Sequence, residues 1–225
     1  MSEYKSVLIS GGSSGLGLAI AELMMFDYEV TILSRNCPDS IKHNIQHIKI
    51  DFTEKNALNN LTYEQKKKIR DADILINNVG IFSDSRCDNL NDYNYFEMFS
   101  INVFSIIDLT KVFLKDRKVG RIININSVSG VRAQKYQEFY SASKFALKGF
   151  FDSLAQNINS NVKITNIHPA GINTPLWDKH SLRKDLRDGF MVTQEVAEFI
   201  KNIINLPNSI GLKEIHLQPS NEWNF

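Results

Sequence analysis

Short β-branched runs alternate along the chain with longer stretches whose apolar residues recur every three to four positions. The runs at 6–10, 29–34, 46–50, 73–77, 120–126, 162–167 and 212–217 predict seven strands. Helices are predicted over 15–26, 53–70, 91–115, 138–157 and 193–205. A parallel connection needs a crossover of about a dozen residues or more, which each of these helices supplies. The alternation therefore predicts an α/β fold, a doubly wound Rossmann-type sandwich with a seven-stranded, mostly parallel sheet flanked by helices on both faces. Such sheets bind ligands beyond the carboxyl ends of their strands, so chemistry is sought there. Between 34 and 46 the chain, with Pro38, has room only for a turn or a single helical turn. Residues 176–190, which include Trp177, His180, Arg183 and Arg187, are weakly periodic and read as an insertion over the site.

No linker or repeat divides the 225 residues, so a single domain spanning 1–225 is expected. Lys and Arg number 26 against 25 Asp and Glu, a balance of +1 without the basic footprint that nucleic acid demands. Cys37 and Cys87 have neither metal-ligand spacing nor the numbers for a disulfide framework, so no metal site is expected and a reducing compartment is. The chain opens without a basic leader, and Glu22 interrupts its apolar stretch well short of the ~18 residues of a membrane span. A cytoplasmic protein that avoids membranes is expected.

The first strand runs into Ser10-Gly11-Gly12-Ser13-Ser14-Gly15-Leu16-Gly17 and then at once into a helix. Glycines let the backbone approach a pyrophosphate closely, and the free N–H groups and positive dipole end of the helix attract its charge. The Lys-Ser/Thr pair of a P-loop is missing, which argues against nucleoside triphosphate hydrolysis. The same glycines could also make nothing more than a tight strand-helix turn. Their Gly-x-x-x-Gly-x-Gly spacing resembles that of the short-chain dehydrogenase/reductase family, and further motifs follow in the family's order. Asn77-Asn78-Val79-Gly80 resembles its Asn-Asn-Ala-Gly, Asn102 stands where it carries a catalytic asparagine, Ser127 follows the fifth strand, and Tyr140-Ser-Ala-Ser-Lys144 matches Tyr-x-x-x-Lys. The resemblance extends from Val7 to Pro219 and implies a single NAD(P)-binding oxidoreductase domain.

Tyr140 and Lys144, four residues apart, share a helix face, so the lysine can act on the phenol. Bringing a tyrosine from its usual pKa near 10 to roughly 7 takes about 4 kcal/mol of phenolate stabilisation, for which a neighbouring ammonium and an oxidised nicotinamide are the expected sources. By resemblance, Tyr140 is the general acid/base, Ser127 holds the carbonyl oxygen, Lys144 also binds the nicotinamide ribose, and Asn102 supports a water that reloads the proton. Tyr136 is a decoy as a general acid, since four residues on it meets Tyr140 and not a base.

The second strand ends in Leu33-Ser34-Arg35-Asn36 with no carboxylate for a ribose 2′-hydroxyl. Arg35 is suited to a 2′-phosphate, so NADP(H) is expected in preference to NAD(H); stacking of Arg35 on adenine would leave that preference weak. Asp51 and Phe52 resemble the family's adenine-contacting pair, although Asp51 could equally cap a helix beginning before Glu54. The remaining cofactor contacts implied by the resemblance are Gly11, Ser13, Ser14, Gly15, Leu16, Gly17, Asn78, Val79, Gly80, Pro169, Gly171, Ile172 and Thr174. Two departures stand out: Val79 replaces an alanine, and Ala170 a glycine, which strains the chain only if its φ is positive. His168 reads as a structural residue.

Gln134, Tyr136, Leu176 and Trp177 are candidate walls of a substrate pocket, with Ser127 at its base. Arg183 and Arg187 read as a solvated helix face rather than an anion site. The function expected is an NADP(H)-dependent reductase of ketones or aldehydes, including 3-oxoacyl thioesters. Nucleotide-sugar epimerases of the extended type carry a substrate domain for which the 56 residues after Pro169 leave no room. The rival is a module in which catalysis has lapsed and the pocket reports NADP(H) state to a protein partner. Homodimers or homotetramers are expected from the family and from Phe96, Phe99, Phe104, Phe113, Phe145, Phe150 and Phe151 on the two helices that would pair.

Overall fold

The computed structural model of the chain describes residues 5–41, 43–83, 87, 94–178 and 188–220. Seven strands form one sheet: β1 (Ser6–Ser10), β2 (Glu29–Ser34), β3 (Gln46–Lys49), β4 (Ile74–Asn77), β5 (Gly120–Ile125), β6 (Val162–Pro169) and β7 (Glu214–Leu217). Their order is β3-β2-β1-β4-β5-β6-β7, and every pairing is parallel. The connection order reverses between β1 and β4, which opens a crevice beyond their carboxyl ends.

Both faces of the sheet are covered, which is why its central strands read as nearly unbroken apolar runs. Val7, Ile9, Ile76, Ile123 and Ile167 pack with α1 (Gly15–Met24) and α6 (Thr193–Ile204). Leu8, Leu75, Ile122 and Ile164 face the other way, toward α4 (Ser105–Leu114) and α5 (Glu138–Asn157). Toward the carboxyl ends this second face turns polar. Asn77, Asn124, Asn166 and Glu214 lie side by side on four neighbouring strands. Asn77 donates to Thr110 Oγ1 at 3.3 Å and Asn124 to Asn166 Oδ1 at 3.0 Å. At the amino ends, Arg121 of β5 is buried and donates to the carbonyls of Ile203 (2.8 Å) and Leu206 (3.3 Å), at and just beyond the end of α6.

Two predicted helices are shorter or less regular than their periodicity implies. Over 53–70 only α2 (Tyr63–Asp71) forms, because Asn56 takes a left-handed φ of +59° and Thr62 with Gln65 builds a capping box that starts the helix late. The stretch expected over 91–115 is α3 (Asn94–Phe99), a π-helical turn (Ser100–Phe104) and α4, with residues 91–93 outside the described ones. Of its aromatic residues and those of α5, Phe113 and Phe151 are fully buried core, whereas Phe96, Phe104 and Phe145 are exposed. Ala170 is not among the residues with positive φ, so its side chain strains nothing. The described residues of the 34–46 connection form turns, as expected. No described helix is long and apolar enough to cross a membrane.

Candidate active site

A cleft of about 1090 Å³ runs along the carboxyl ends of the strands, walled by segments that follow β1, β2, β3, β4, β5 and β6. At its near end the turn after β1 depends on its glycines. Gly11 has φ +69°, and a Cβ there would meet Val79 Cα at 3.0 Å; a Cβ at Gly17 would overlap the Gly11 carbonyl and the Asn78 amide. Asn78 stitches the turn to β4, its Nδ2 donating to the carbonyls of Ser10 (3.2 Å) and Gly11 (3.1 Å). Ser14 precedes α1 without capping it by its side chain, and the first turn carries no acidic residue. Uncapped N–H groups therefore open into the cleft beside Ser13, Ser14, Gly15 and Leu16, a cradle for an anionic diphosphate.

Arg35, Asp51, Phe52, Asn78, Val79 and Gly80 line the same cleft, as do Pro169, Gly171, Ile172 and Thr174 on its opposite side. Gly17 does not; it acts by letting α1 pack close beneath the cradle. Asp51 caps a turn and not a helix, since Thr53 donates to its Oδ1 from both N (2.9 Å) and Oγ1 (2.8 Å). Those bonds, Thr53's amide first, and the nearby Arg35 guanidinium hold its carboxyl below the usual carboxylate range.

Farther along, Tyr140 and Lys144 project from one face of α5 into the cleft, both buried, with Lys144 Nζ 5.7 Å from the centre of the Tyr140 ring. Ser127, which follows β5 and caps a short turn by accepting from Ser129 N at 3.1 Å, lies on the same cleft, where its side chain favours the ionised form of the Tyr140 phenol. Burial dominates the electrostatics. It pushes the Tyr140 phenol up to about 12, against the lowering effect of Ser127, and brings Lys144 from 10.5 down to about 8. The expected lowering of the phenol is thus not built into this arrangement: Lys144, whose one hydrogen bond among the described residues is to the Ile125 carbonyl at 3.5 Å, is itself poorly solvated. As it stands Tyr140 keeps its proton at neutral pH, the state of an acid ready to donate.

Asn102 lies in the π-helical turn, fully buried behind the cleft. Its Oδ1 accepts from Ile81 N at 2.8 Å, while Nδ2 donates to Ile81 O at 2.9 Å and to Ser143 Oγ at 3.2 Å. It ties the segment after Gly80 to the helix that carries Tyr140 and Lys144. The structure therefore brings Asn102 next to the pair but does not place its side chain on the cleft.

Of the proposed pocket walls, Gln134, Leu176 and Trp177 line the cleft, and Tyr136 does not. Tyr136 sits outside it with φ +63° and is partly exposed. Arg183, Arg187 and His180 lie outside the described residues. Periodicity gave no hint of the residues that complete the wall. Phe82 packs edge-on against Tyr140 at 4.9 Å and beside Trp177 at 4.8 Å, and Phe190 lies 5.2 Å from Trp177, its ring filling the space above Gly171. Trp177 Nε1 donates to Ile172 O at 2.9 Å, leaving an apolar ring surface toward the cavity. The position of Phe82, just beyond a strand-end Asn-Asn-Val-Gly, was the available signal.

Residues 5–185 match the family model described as short chain dehydrogenase. The chain belongs to that family. It is thereby an oxidoreductase of a family that binds nicotinamide cofactors. It is 26% identical over 206 residues, 85% of this chain and 75% of the relative, to a 3-ketodihydrosphingosine reductase of Bacteroides thetaiotaomicron. Carbonyl reductase family member 4 of Xenopus laevis is 29% identical over 221 residues, covering 92% of this chain and 94% of its own. In fold it superposes on an alcohol dehydrogenase from Thermococcus sibiricus, complexed with 5-hydroxy-NADP, with TM-score 0.85 over 99% of this chain and 100% of that one at 20% identity.

Proposed function

We propose that this short-chain dehydrogenase is an NADP(H)-dependent enzyme that interconverts a ketone or aldehyde and an alcohol. The observation that carries the reading is the buried triad of Tyr140, Lys144 and Ser127 at the inner wall of a cleft whose other end is a glycine cradle. The cradle fits a dinucleotide: a Cβ at Gly11, which lines the cleft, would press on the Val79 backbone, and one at Gly17 would push α1 away from the turn beneath the cradle, so the turn keeps its backbone exposed to a diphosphate. Gly11, Ser13, Ser14, Gly15 and Leu16 would hold the diphosphate, Asp51, Phe52, Asn78, Val79 and Gly80 the adenosine side, and Lys144, Pro169, Gly171, Ile172 and Thr174 the nicotinamide side. When bound, the nicotinamide supplies or accepts the hydride.

The chain's own part is proton handling. Tyr140, protonated in the free protein, donates to the carbonyl oxygen in the reductive direction while Ser127 holds that oxygen. Lys144 contributes positive charge where phenolate forms, and a charge held in a dry site counts for more than one in water. Asn102 keeps the two backbone segments in line, tying Ile81 to Ser143 of the helix that carries Tyr140 and Lys144. Arg35, exposed at the end of β2 with no carboxylate in place for a 2′-hydroxyl, supports NADP(H) over NAD(H). The Thermococcus enzyme, which shares the fold, was complexed with 5-hydroxy-NADP. The apolar wall of Phe82, Trp177 and Phe190 suits an uncharged carbonyl compound, and the names of the relatives suggest the 3-oxo class. Exposed Phe96, Phe104 and Phe145 support a homodimer or homotetramer, which light scattering at low concentration would check by showing more than a monomer.

The test is a panel of ketones and aldehydes with NADPH, run on the native chain and on Tyr140→Phe. Turnover by the native chain, with kcat/KM lower by ~10³-fold or more in the variant and NADPH binding retained, is expected. Tight NADPH binding with no turnover by either would instead favour a cofactor-sensing module acting through a protein partner.

A further inference from the structure

The proton chemistry leaves one buried titratable side chain without a task. His168 lies near the end of β6, its ring fully buried, with Nδ1 3.2 Å from the backbone carbonyl oxygen of Ser127. A carbonyl can only accept, so this contact is a hydrogen bond only when Nδ1 carries the ring proton. On the other side Nε2 lies 3.0 Å from a Glu214 carboxylate oxygen, out of line for a hydrogen bond, and has no hydrogen-bond partner among the described residues. The other charged or titratable neighbours are His216, whose ring stacks at 5.0 Å, and Lys148 of α5, which pairs with Asp152 at 2.6 Å and Glu214 at 3.4 Å. Burial foremost, together with His216 and Lys148, holds the imidazole pKa below its usual value against Ser127 and Glu214, so the ring is neutral near pH 7 and has a single N–H to give.

We propose that His168 is a positioning residue for Ser127, its Nδ1–H gripping the Ser127 carbonyl and thereby fixing the peptide from which the Ser127 hydroxyl reaches Tyr140 and the substrate oxygen. The same carbonyl accepts from Gly130 N at 2.9 Å, but that bond lies within the turn and moves with it. The histidine bond is different in kind, because it anchors the turn after β5 to the neighbouring strand. Displacement of a hydroxyl by a fraction of an ångström is enough to slow a proton transfer without loosening the cofactor. The inference rests on the reading of Ser127 given above.

The two amide replacements of histidine separate a positioning role from a space-filling one. His168→Asn carries an N–H where Nδ1 stands, and His168→Gln carries one where Nε2 stands. With NADPH and whichever carbonyl of the panel the native chain reduces fastest, the asparagine variant is expected to keep kcat within about threefold. The glutamine variant should lose about 10- to 30-fold in kcat, with KM for NADPH unchanged in both, as removal of one buried hydrogen bond predicts. Equal kcat in the two variants, or a loss confined to KM for NADPH, overturns the proposal. Ser127→Ala in the same series keeps the two readings apart. Full activity there would sink the role of Ser127 itself, whereas an inactive Ser127→Ala beside equal histidine variants sinks the positioning role alone. Nuclear magnetic resonance of ¹⁵N-histidine-labelled native protein decides the matter even if neither variant folds. A His168 proton on Nδ1 is required, and one on Nε2 overturns the proposal.

Discussion

Two cationic side chains are buried among the described residues, one at each end of the sheet, and they are treated differently. Arg121, 1% exposed at the amino ends of the strands, donates to the Ile203 carbonyl in the last turn of α6 and to the Leu206 carbonyl just beyond it. Lys144, 4% exposed at the carboxyl ends, has among the described residues a single carbonyl at 3.5 Å and is driven down to about 8 by its burial. A guanidinium whose donors meet helix-end acceptors is part of the scaffold. An ammonium left with most of its hydrogen-bonding capacity unspent is held in a costly state, and the cost is understandable only if something else arrives to use the charge.

The comparison breaks most visibly in activity. Lys144→Met, which keeps the bulk and discards the charge, should lower kcat/KM for carbonyl reduction by ~10³-fold or more, about 4 kcal/mol. Arg121→Met should leave kcat per folded molecule unchanged, and steady-state assays of both variants would expose any exception. Stability should invert the ranking. Arg121→Met removes the bonds to the Ile203 and Leu206 carbonyls and is expected to cost about 3 kcal/mol by urea denaturation. Lys144→Met should instead stabilise the free protein by about 2 kcal/mol at pH 7. The sign follows from the lowered pKa. The folded state disfavours the charged lysine, so its cost is fully present below pH 8 and fades as the pH rises from about 8 toward 10.5. The advantage of the methionine variant should shrink over that interval, and a constant advantage from pH 7 to 10 would show that packing, not charge, is its origin. The smallest contrast is with an exposed cation at the same end of the sheet. Arg35→Ala should raise KM for NADPH about tenfold and leave KM for NADH within about twofold, while equal losses would remove the basis for preferring NADP(H).

How much of this was legible in the sequence depended on whether local chemistry or tertiary packing decided the outcome. Strand-forming runs and the Gly11 to Gly17 turn were readable because alternation and φ constraints are local. The late start of α2 was written in Asn56 and the Thr62/Gln65 box, but apolar spacing over 53–70 masked it. The π-helical turn around Asn102 has no periodic signature at all. It becomes visible only when Asn102 is seen bridging the Ile81 backbone to Ser143. The proximity of Tyr140 to Lys144 followed from helical spacing, whereas the direction of the phenol's pKa did not, because burial is set by Phe82, Met98 and Trp177 from distant segments. His168 was correctly placed at a strand end, yet its contact with the Ser127 carbonyl depends on β5 and β6 being neighbours.

The line of Asn77, Asn124, Asn166 and Glu214 across four strands has a consequence for assembly of the sheet itself. Side chains alternate between its faces, so a slip of one residue in any of these strands would thrust an amide or carboxylate into the apolar layer beneath α1 and α6 and leave its former neighbour unmatched. The polar row thus acts as a registration key that rejects misaligned pairings, and the spacing between the chemical groups just beyond it is inherited from that alignment.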